Sequence, residues 1–136
     1  MSNVSPYLNF DGNASQVIEF YKKALGAELK FLIRYEEAPF PSPENWKQKI
    51  MHATLMLNGS ELMISDAMPD SKVKPGDQVS IALSFEKDDR IDEKFKLLSQ
   101  GGTVTMELQE TFWSKKFGMC TDPFGIHWMV SLETPR

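Results

Sequence analysis

The chain has 136 residues, 41% of them hydrophobic and 25% charged, with a formal net charge of −4 at pH 7. That length suits one domain, or two small modules sharing a core. No apolar run approaches the ~20 residues of a membrane-spanning helix, and the start, MSNVSPYLNF, lacks the basic and apolar regions of a secretory signal. The 15 Lys and Arg are scattered rather than gathered on one face, which argues against nucleic acid as a partner. The single cysteine, Cys120, excludes an intrachain disulfide and suits the reducing cytoplasm, where the protein is expected to reside.

In chain order, PYLNF (6–10) reads as a short strand and ASQVIEFYKKAL (14–25) as a helix. Val17, Phe20, Tyr21, Ala24 and Leu25 fall on one helical face. Asn13 is placed to cap the helix, with Gln16 three residues on, and Gly26 fits its left-handed stop. ELKFLIRY (28–35) is a strand. Segment 36–48 carries Pro39, Pro41 and Pro43 and is a loop, since no central strand takes those prolines. IMHATLML (50–57) and SELMISD (60–66) form a hairpin through Asn58-Gly59, a strong tight-turn signal. QVSIALSFE (78–86) is a strand, and DDRIDEKFKLLSQ (88–100) a helix with Ile91, Phe95 and Leu98 on one face, stopped by Gly101 and Gly102. TVTMELQ (103–109) is a strand. A loop within 110–118 leads into another ending near Thr121. Asp122-Pro123-Phe124-Gly125 suits a type I turn, and IHWMVSL (126–132) closes the set.

The two halves repeat. Phe10 lies over Phe85, Phe20 and Gly26 over Phe95 and Gly101, and Gly59, Met63 and Ser65 over Gly125, Met129 and Ser131. The order strand, helix, strand, strand, strand occurs twice, which predicts two copies of a βαβββ unit. The modules are assigned to 1–70 and 78–136, with a linker at 71–77.

Strand alternation divides the side chains between two faces. The helix-facing set is Leu8, Phe10, Met51, Ala53, Leu55, Leu57, Leu62 and Ile64, then Val79, Ile81, Leu83, Phe85, Trp128 and Val130. The opposite set is mixed: Tyr7, Asn9, His52, Thr54, Met56, Glu61, Met63 and Ser65, then Ser80, Ala82, Ser84, Cys120, His127, Met129 and Ser131. A sheet curved around this second face would make a cleft with apolar walls and few polar groups, the usual make-up of a small-molecule site.

The stretches YLNFDGNASQVIEFYKKALGAE, MHATLMLNGSELMISD and GGTVTMELQETFWSKKFGMCTDPFGIHWMVS cover nearly the whole chain. They resemble the vicinal oxygen chelate superfamily, the glyoxalase and bleomycin-resistance group, and within it the PhnB-like branch. The resemblance implies an α+β fold of paired βαβββ modules, a cupped eight-stranded mixed sheet and, commonly, a homodimer. It also implies, for the enzymes of that superfamily, a divalent metal held by His, Gln or Glu of each module's first strand and Glu of its last. Here the matching late-strand positions hold Met63 and Met129, and the early ones offer Tyr7 or Asn9, and Ala82 or Ser84. None is a good ligand for a hard or borderline divalent ion, so no cofactor is expected. A thioether is able to bind Cu(I), but two methionines in a core-like pattern are read as packing.

Two readings of function follow. In the first, the protein binds a small organic molecule in a metal-free cleft. Tyr7, Asn9, His52, Glu61, Ser65, Trp113 and His127 orient the ligand, and Met56, Met63 and Met129 form the walls. In the second, it is a glyoxalase-like lyase, isomerase or dioxygenase whose divalent metal is held by His52, Glu61 and His127 and polarises a substrate oxygen. The plain alternatives are structural histidines, a solvated Glu61 near its hairpin turn, and a buried, inert Cys120. Phe112 and Trp113 are placed to stack on a planar ligand, to pack a dimer or to anchor their loop. Trp46 is placed to close over the cleft or to dock on a partner chain, and Lys115 and Lys116 read as a solvated face. No phosphate loop, dinucleotide fingerprint or nucleophile elbow is present.

Overall fold

In the computed structural model, which describes residues 3–133, the chain divides into two compact units between Lys74 and Pro75. Met1, Ser2 and residues 134–136, the outermost parts of the two assigned modules, lie outside the described residues. The first unit comprises β1 (Tyr7–Phe10), α1 (Ala14–Leu25), β2 (Glu28–Arg34), two short 3-10 turns (Tyr35–Glu37 and Glu44–Trp46), β3 (Ile50–Leu57) and β4 (Ser60–Asp66). The second comprises β5 (Ile81–Phe85), α2 (Ile91–Ser99), β6 (Thr103–Gln109), β7 (Phe117–Thr121) and β8 (His127–Leu132). The fold is α+β, and the eight strands fall in two four-stranded mixed sheets of matching order, β1-β4-β3-β2 and β5-β8-β7-β6. In each sheet the first strand runs parallel to the last, and the other pairings are antiparallel.

The repetition reaches the backbone. The amide of Ala67 donates to the Phe10 carbonyl at 2.7 Å, and that of Glu133 to the Phe85 carbonyl at 2.7 Å, closing the parallel pair of each unit. Gly26 and Gly101 follow their helices at φ 72° and 84°, a conformation that costs glycine nothing sterically. Four residues past each glycine the next strand carries a bulge. Leu29 pairs with Leu55 but Phe31 with Thr54; Val104 pairs with Cys120 but Met106 with Met119. An extra residue, Lys30 or Thr105, therefore turns Phe31 and Met106 onto the face opposite that of Leu29 and Val104.

Each helix covers one face of its own sheet. α1 packs on β3 and β4 and buries Val17, Ile18, Tyr21, Ala24 and Leu25, while Ala53, Leu55, Leu62 and Ile64 are buried beneath it. Phe20, expected in that stripe, is only half-buried, and Ile18 takes its place. α2 buries Ile91, Phe95 and Leu98 toward the face that holds Gly118, Leu83 and Val130. There a Cβ on Gly118 would lie 3.1 Å from the Phe95 ring. Burying such side chains is worth about 1.5–3 kcal/mol each, so these faces hold the units together and the opposite faces are released for other duties.

Several local expectations are corrected. Asn13 occupies the cap position of α1 but makes no side-chain cap bond. The buried Asp66 carboxylate serves instead, accepting from the amides of Gly12 and Ala14 through Oδ1 and of Ile50 through Oδ2, each at 2.9 Å. A full charge at a helix N-terminus is favoured by the exposed amides and the helix dipole. β5 begins at Ile81, not 78, with Ile81 opposite Trp128 of β8, and Val79 is 76% exposed rather than core. α2 begins at Ile91 rather than 88: Arg90 before it is left-handed at φ 58°, and Asp88 Oδ1 accepts from the Ile91 amide at 3.4 Å. Cys120 lies opposite Trp128, on the helix side, not among the mixed-face residues.

Candidate functional site

Strand register lays out the helix-free face of each sheet as a row of four side chains. In the first unit the row is Tyr7, Met63, Thr54 and Phe31. In the second it is Ala82, Met129, Met119 and Met106. These rows contain the early- and late-strand positions singled out by the repeat, Tyr7 beside Met63 and Ala82 beside Met129. Thr54 falls on this face as strand alternation predicts, whereas Phe31, Met106 and Met119 are additions that the sequence alone does not place there. Simple alternation along β2 and β6 fails at the bulges, so only a turn-by-turn register places Phe31 and Met106 here.

Around the first row the polar groups form a chain. The Tyr7 hydroxyl lies 3.1 Å from His52 Nδ1, and His52 Nε2 lies 3.1 Å from Thr54 Oγ1. The Tyr7 and Phe31 rings flank the imidazole at centroid distances of 5.5 and 6.0 Å. Both partners of His52 are hydroxyls, which donate or accept equally well, so neither tautomer is imposed. Tyr7 and Phe31 are about half exposed, and His52, Thr54, Met56 and Met63 are half-buried. Asn9, opposite Ser65, is exposed, whereas the buried Ser65 donates to the Asp66 carbonyl at 3.1 Å.

His127, the second unit's histidine, is held differently. Its Nε2 lies 2.9 Å from the Gly76 carbonyl, which only accepts, so Nε2 carries the proton. Nδ1 is then left to accept from the Thr121 hydroxyl at 2.9 Å. Both nitrogens are thus committed within the unit. Trp113 is half exposed, edge-on to Phe112 at 4.7 Å and to Phe117 at 5.3 Å. Its turn is fixed by Thr111 and Ser114: the Ser114 amide donates to Thr111 Oγ1 at 3.1 Å, and Ser114 Oγ donates to the carbonyls of Lys116 and Leu132.

Trp46 belongs to the body of its own unit. Its Nε1 donates to the Ala67 carbonyl at 3.1 Å, its ring packs on Gly12, and Lys49 sits over the ring while donating to the Gly12 carbonyl. The 36–48 loop is further tied by Arg34 donating to the Gln48 carbonyl at 2.6 Å. Lys116 is paired with Asp88 and Asp92, which raises its own pKa through those bonds and holds Asp88 below the usual carboxylate range.

Within the first unit, His52 and Glu61 of the alternative metal set stand apart along the sheet. Glu61 pairs with Met56, four residues along β3 from His52, a separation of about 13 Å. The paired early- and late-strand positions hold a phenol and a thioether in the first unit and an alanine methyl and a thioether in the second, and neither pair fits a borderline divalent ion. Among the described residues no three His, Cys, Asp or Glu side chains are grouped to hold a metal ion. Cys120 is no nucleophile either: burial, with a smaller push from Asp122, raises its thiol from the ordinary 9.0 to about 12.

Two four-stranded sheets, each crossed by one helix and joined in the same order, define the class: residues 5–130 match the Glyoxalase/Bleomycin resistance protein/Dioxygenase superfamily, to which the chain belongs. Within it, the chain is 36% identical to protein PA1353 of Pseudomonas aeruginosa, whose crystal structure it matches with a TM-score of 0.87 over 99% of this chain and 100% of that one. It matches the structure of a PhnB protein from Bacillus cereus, described as a candidate 3-demethylubiquinone-9 3-methyltransferase, at 30% identity and a TM-score of 0.78, over 96% and 99% of the two chains. Protein YjdN of Escherichia coli strain K12 is 34% identical over 95% of this chain and 94% of its own length. These relatives place the chain in the PhnB-like branch.

Proposed function

We propose that the protein binds a small organic molecule on the helix-free face of its first sheet, without a divalent metal. The observation that carries this reading is the chain Tyr7–His52–Thr54. It is a partly exposed set of hydroxyl and imidazole groups bordered by Phe31, Met56 and Met63. A few convergent polar groups in an apolar surround are what a small-molecule site requires. Because both partners of His52 are hydroxyls, the group offers a ligand either a donor or an acceptor. Asn9 and Glu61 border the same face and extend the polar choices at its two ends. In the second unit His127, bonded to Thr121 and Gly76, positions its own segment. Ser65, bonded to backbone, likewise supports the strand. The protein is further proposed to act in the cytoplasm as a homodimer, in keeping with the anionic, disulfide-free chain; no helix among the described residues is long and apolar enough to cross a membrane.

A thermal-shift screen of small organic compounds tests the reading, since a ligand of the native state raises Tm by mass action. A compound that raises Tm is expected to lose about tenfold in affinity, about 1.4 kcal/mol, in Tyr7→Phe or His52→Ala. Undiminished affinity in both variants would contradict the assignment.

A further inference from the structure

We infer that the second unit carries a thioether site for a soft monovalent cation, Cu(I) or its mimic Ag(I), formed by Met106, Met119 and Met129. The three residues are direct cross-strand partners on adjacent strands: Met106 pairs with Met119, and Met119 with Met129. Paired residues stand about 4.5–5.5 Å apart at Cα. A methionine has three rotatable bonds beyond that, so the outer two sulfurs are able to lean over the central one. All three retain solvent access, Met119 and Met129 being half-buried and Met106 37% exposed.

Two features of the fold favour convergence over simple packing. The first is the bulge at Thr105. Without it Met106 would fall opposite Gly118, on the face toward α2; with it, Met106 joins the other two. The second is the fourth place in the row, filled by the small, exposed Ala82 where the first unit has the Tyr7 ring.

The donor chemistry sets selectivity. Thioethers are neutral and soft, and they prefer Cu(I) to zinc, manganese or other borderline and hard ions. The unit's own imidazole, His127, lies two residues along β8 and has both nitrogens committed to Thr121 and Gly76. The buried thiol of Cys120 faces the opposite side of the sheet. Binding at this face is independent of the organic-ligand reading, which rests on the first unit.

The test is a titration with silver nitrate in chloride-free buffer, following the methionine ε-methyl resonances of the Cys120→Ala protein so that the thiol plays no part. One equivalent of Ag(I) is expected to shift Met106, Met119 and Met129 and leave Met51 and Met63 in place. Met119→Leu, which keeps the volume, is expected to weaken binding more than tenfold, and Met63→Leu to leave it unchanged. Cu(I) delivered under anaerobic conditions against a competing chelator should follow the same order among the variants. Shifts spread over all methionines, or equal affinity in Met119→Leu and the parent, would overturn the site.

Discussion

The two units share a frame and differ in what they mount on it. Strand order, helix-terminating glycines, bulges and the closing amide-to-carbonyl bond recur in both. The helix-free rows do not: one reads Tyr7, Met63, Thr54, Phe31, and the other Ala82, Met129, Met119, Met106. The histidines diverge likewise, His52 between two hydroxyls and His127 fixed by a carbonyl. The parts that the fold requires are duplicated, and the helix-free faces have diverged, one lined by hydrogen-bonding groups and the other by thioethers.

The sharpest break of the shared frame is at the glycines after the helices. A Cβ on Gly102 would stand 2.1 Å from the Thr121 carbonyl oxygen, a backbone atom with nowhere to go. Gly102→Ala is expected to destabilise the protein by more than about 4 kcal/mol, measured by denaturant unfolding. Gly26→Ala, which meets open space but needs a positive φ, should cost only about 1 kcal/mol.

Next come the buried carboxylates. Asp66 satisfies three backbone amides in the first unit. Asp122 in the second accepts from the amides of Phe124 and Ile126 and from Trp128 Nε1. They occupy different places in the repeat, Asp66 at the end of β4 and Asp122 in the β7–β8 turn. Asp66→Ala and Asp122→Ala should each cost about 3 kcal/mol, since a buried unsatisfied donor costs about 1–3 kcal/mol and water recovers part of the loss.

The histidines sharpen the contrast further. His127→Ala removes the bonds to the Gly76 carbonyl and Thr121 hydroxyl, which water partly replaces, and should cost about 1 kcal/mol or slightly more. His52→Ala should cost less than about 1 kcal/mol, with its effect appearing in ligand affinity. The smallest effect concerns Cys120. Its folded-state thiol titrates at about 12 against an ordinary 9.0, so the unfolded chain releases this proton first as pH rises. The stabilisation is complete below pH 9.0 and declines from there through about 12. Cys120→Ala should flatten this part of the alkaline stability profile, and thiol reagents should label the native protein far more slowly than the unfolded one at pH 8.

Much of the frame was legible in the sequence, because it is written in local signals. Asn58 and Gly59 both take positive φ, 49° and 80°, as their dipeptide foretold. The Asp122–Gly125 turn closes with the Gly125 amide on the Asp122 carbonyl at 3.1 Å. The spacing that laid Met63 over Met129 is realised in the register of both parallel pairs. What escaped depends on residues far apart in the chain. Asp66 reaches across to cap α1 in place of the adjacent Asn13. The bulges re-phase Phe31 and Met106, and Cys120 turns to the helix side because its register with Trp128 fixes its face. For the site, His52 and Tyr7 were readable as face residues, but their hydrogen bond, and the tautomeric freedom it leaves, required coordinates.

The most direct test of ligand recognition by the first unit's helix-free face uses the methionines already in place. With a compound that raises Tm, the ε-methyl resonances of Met56 and Met63 should move during titration, while Met51, on the helix-facing strand parity, stays fixed. Movement of Met51 with Met56 and Met63 unmoved would contradict the account.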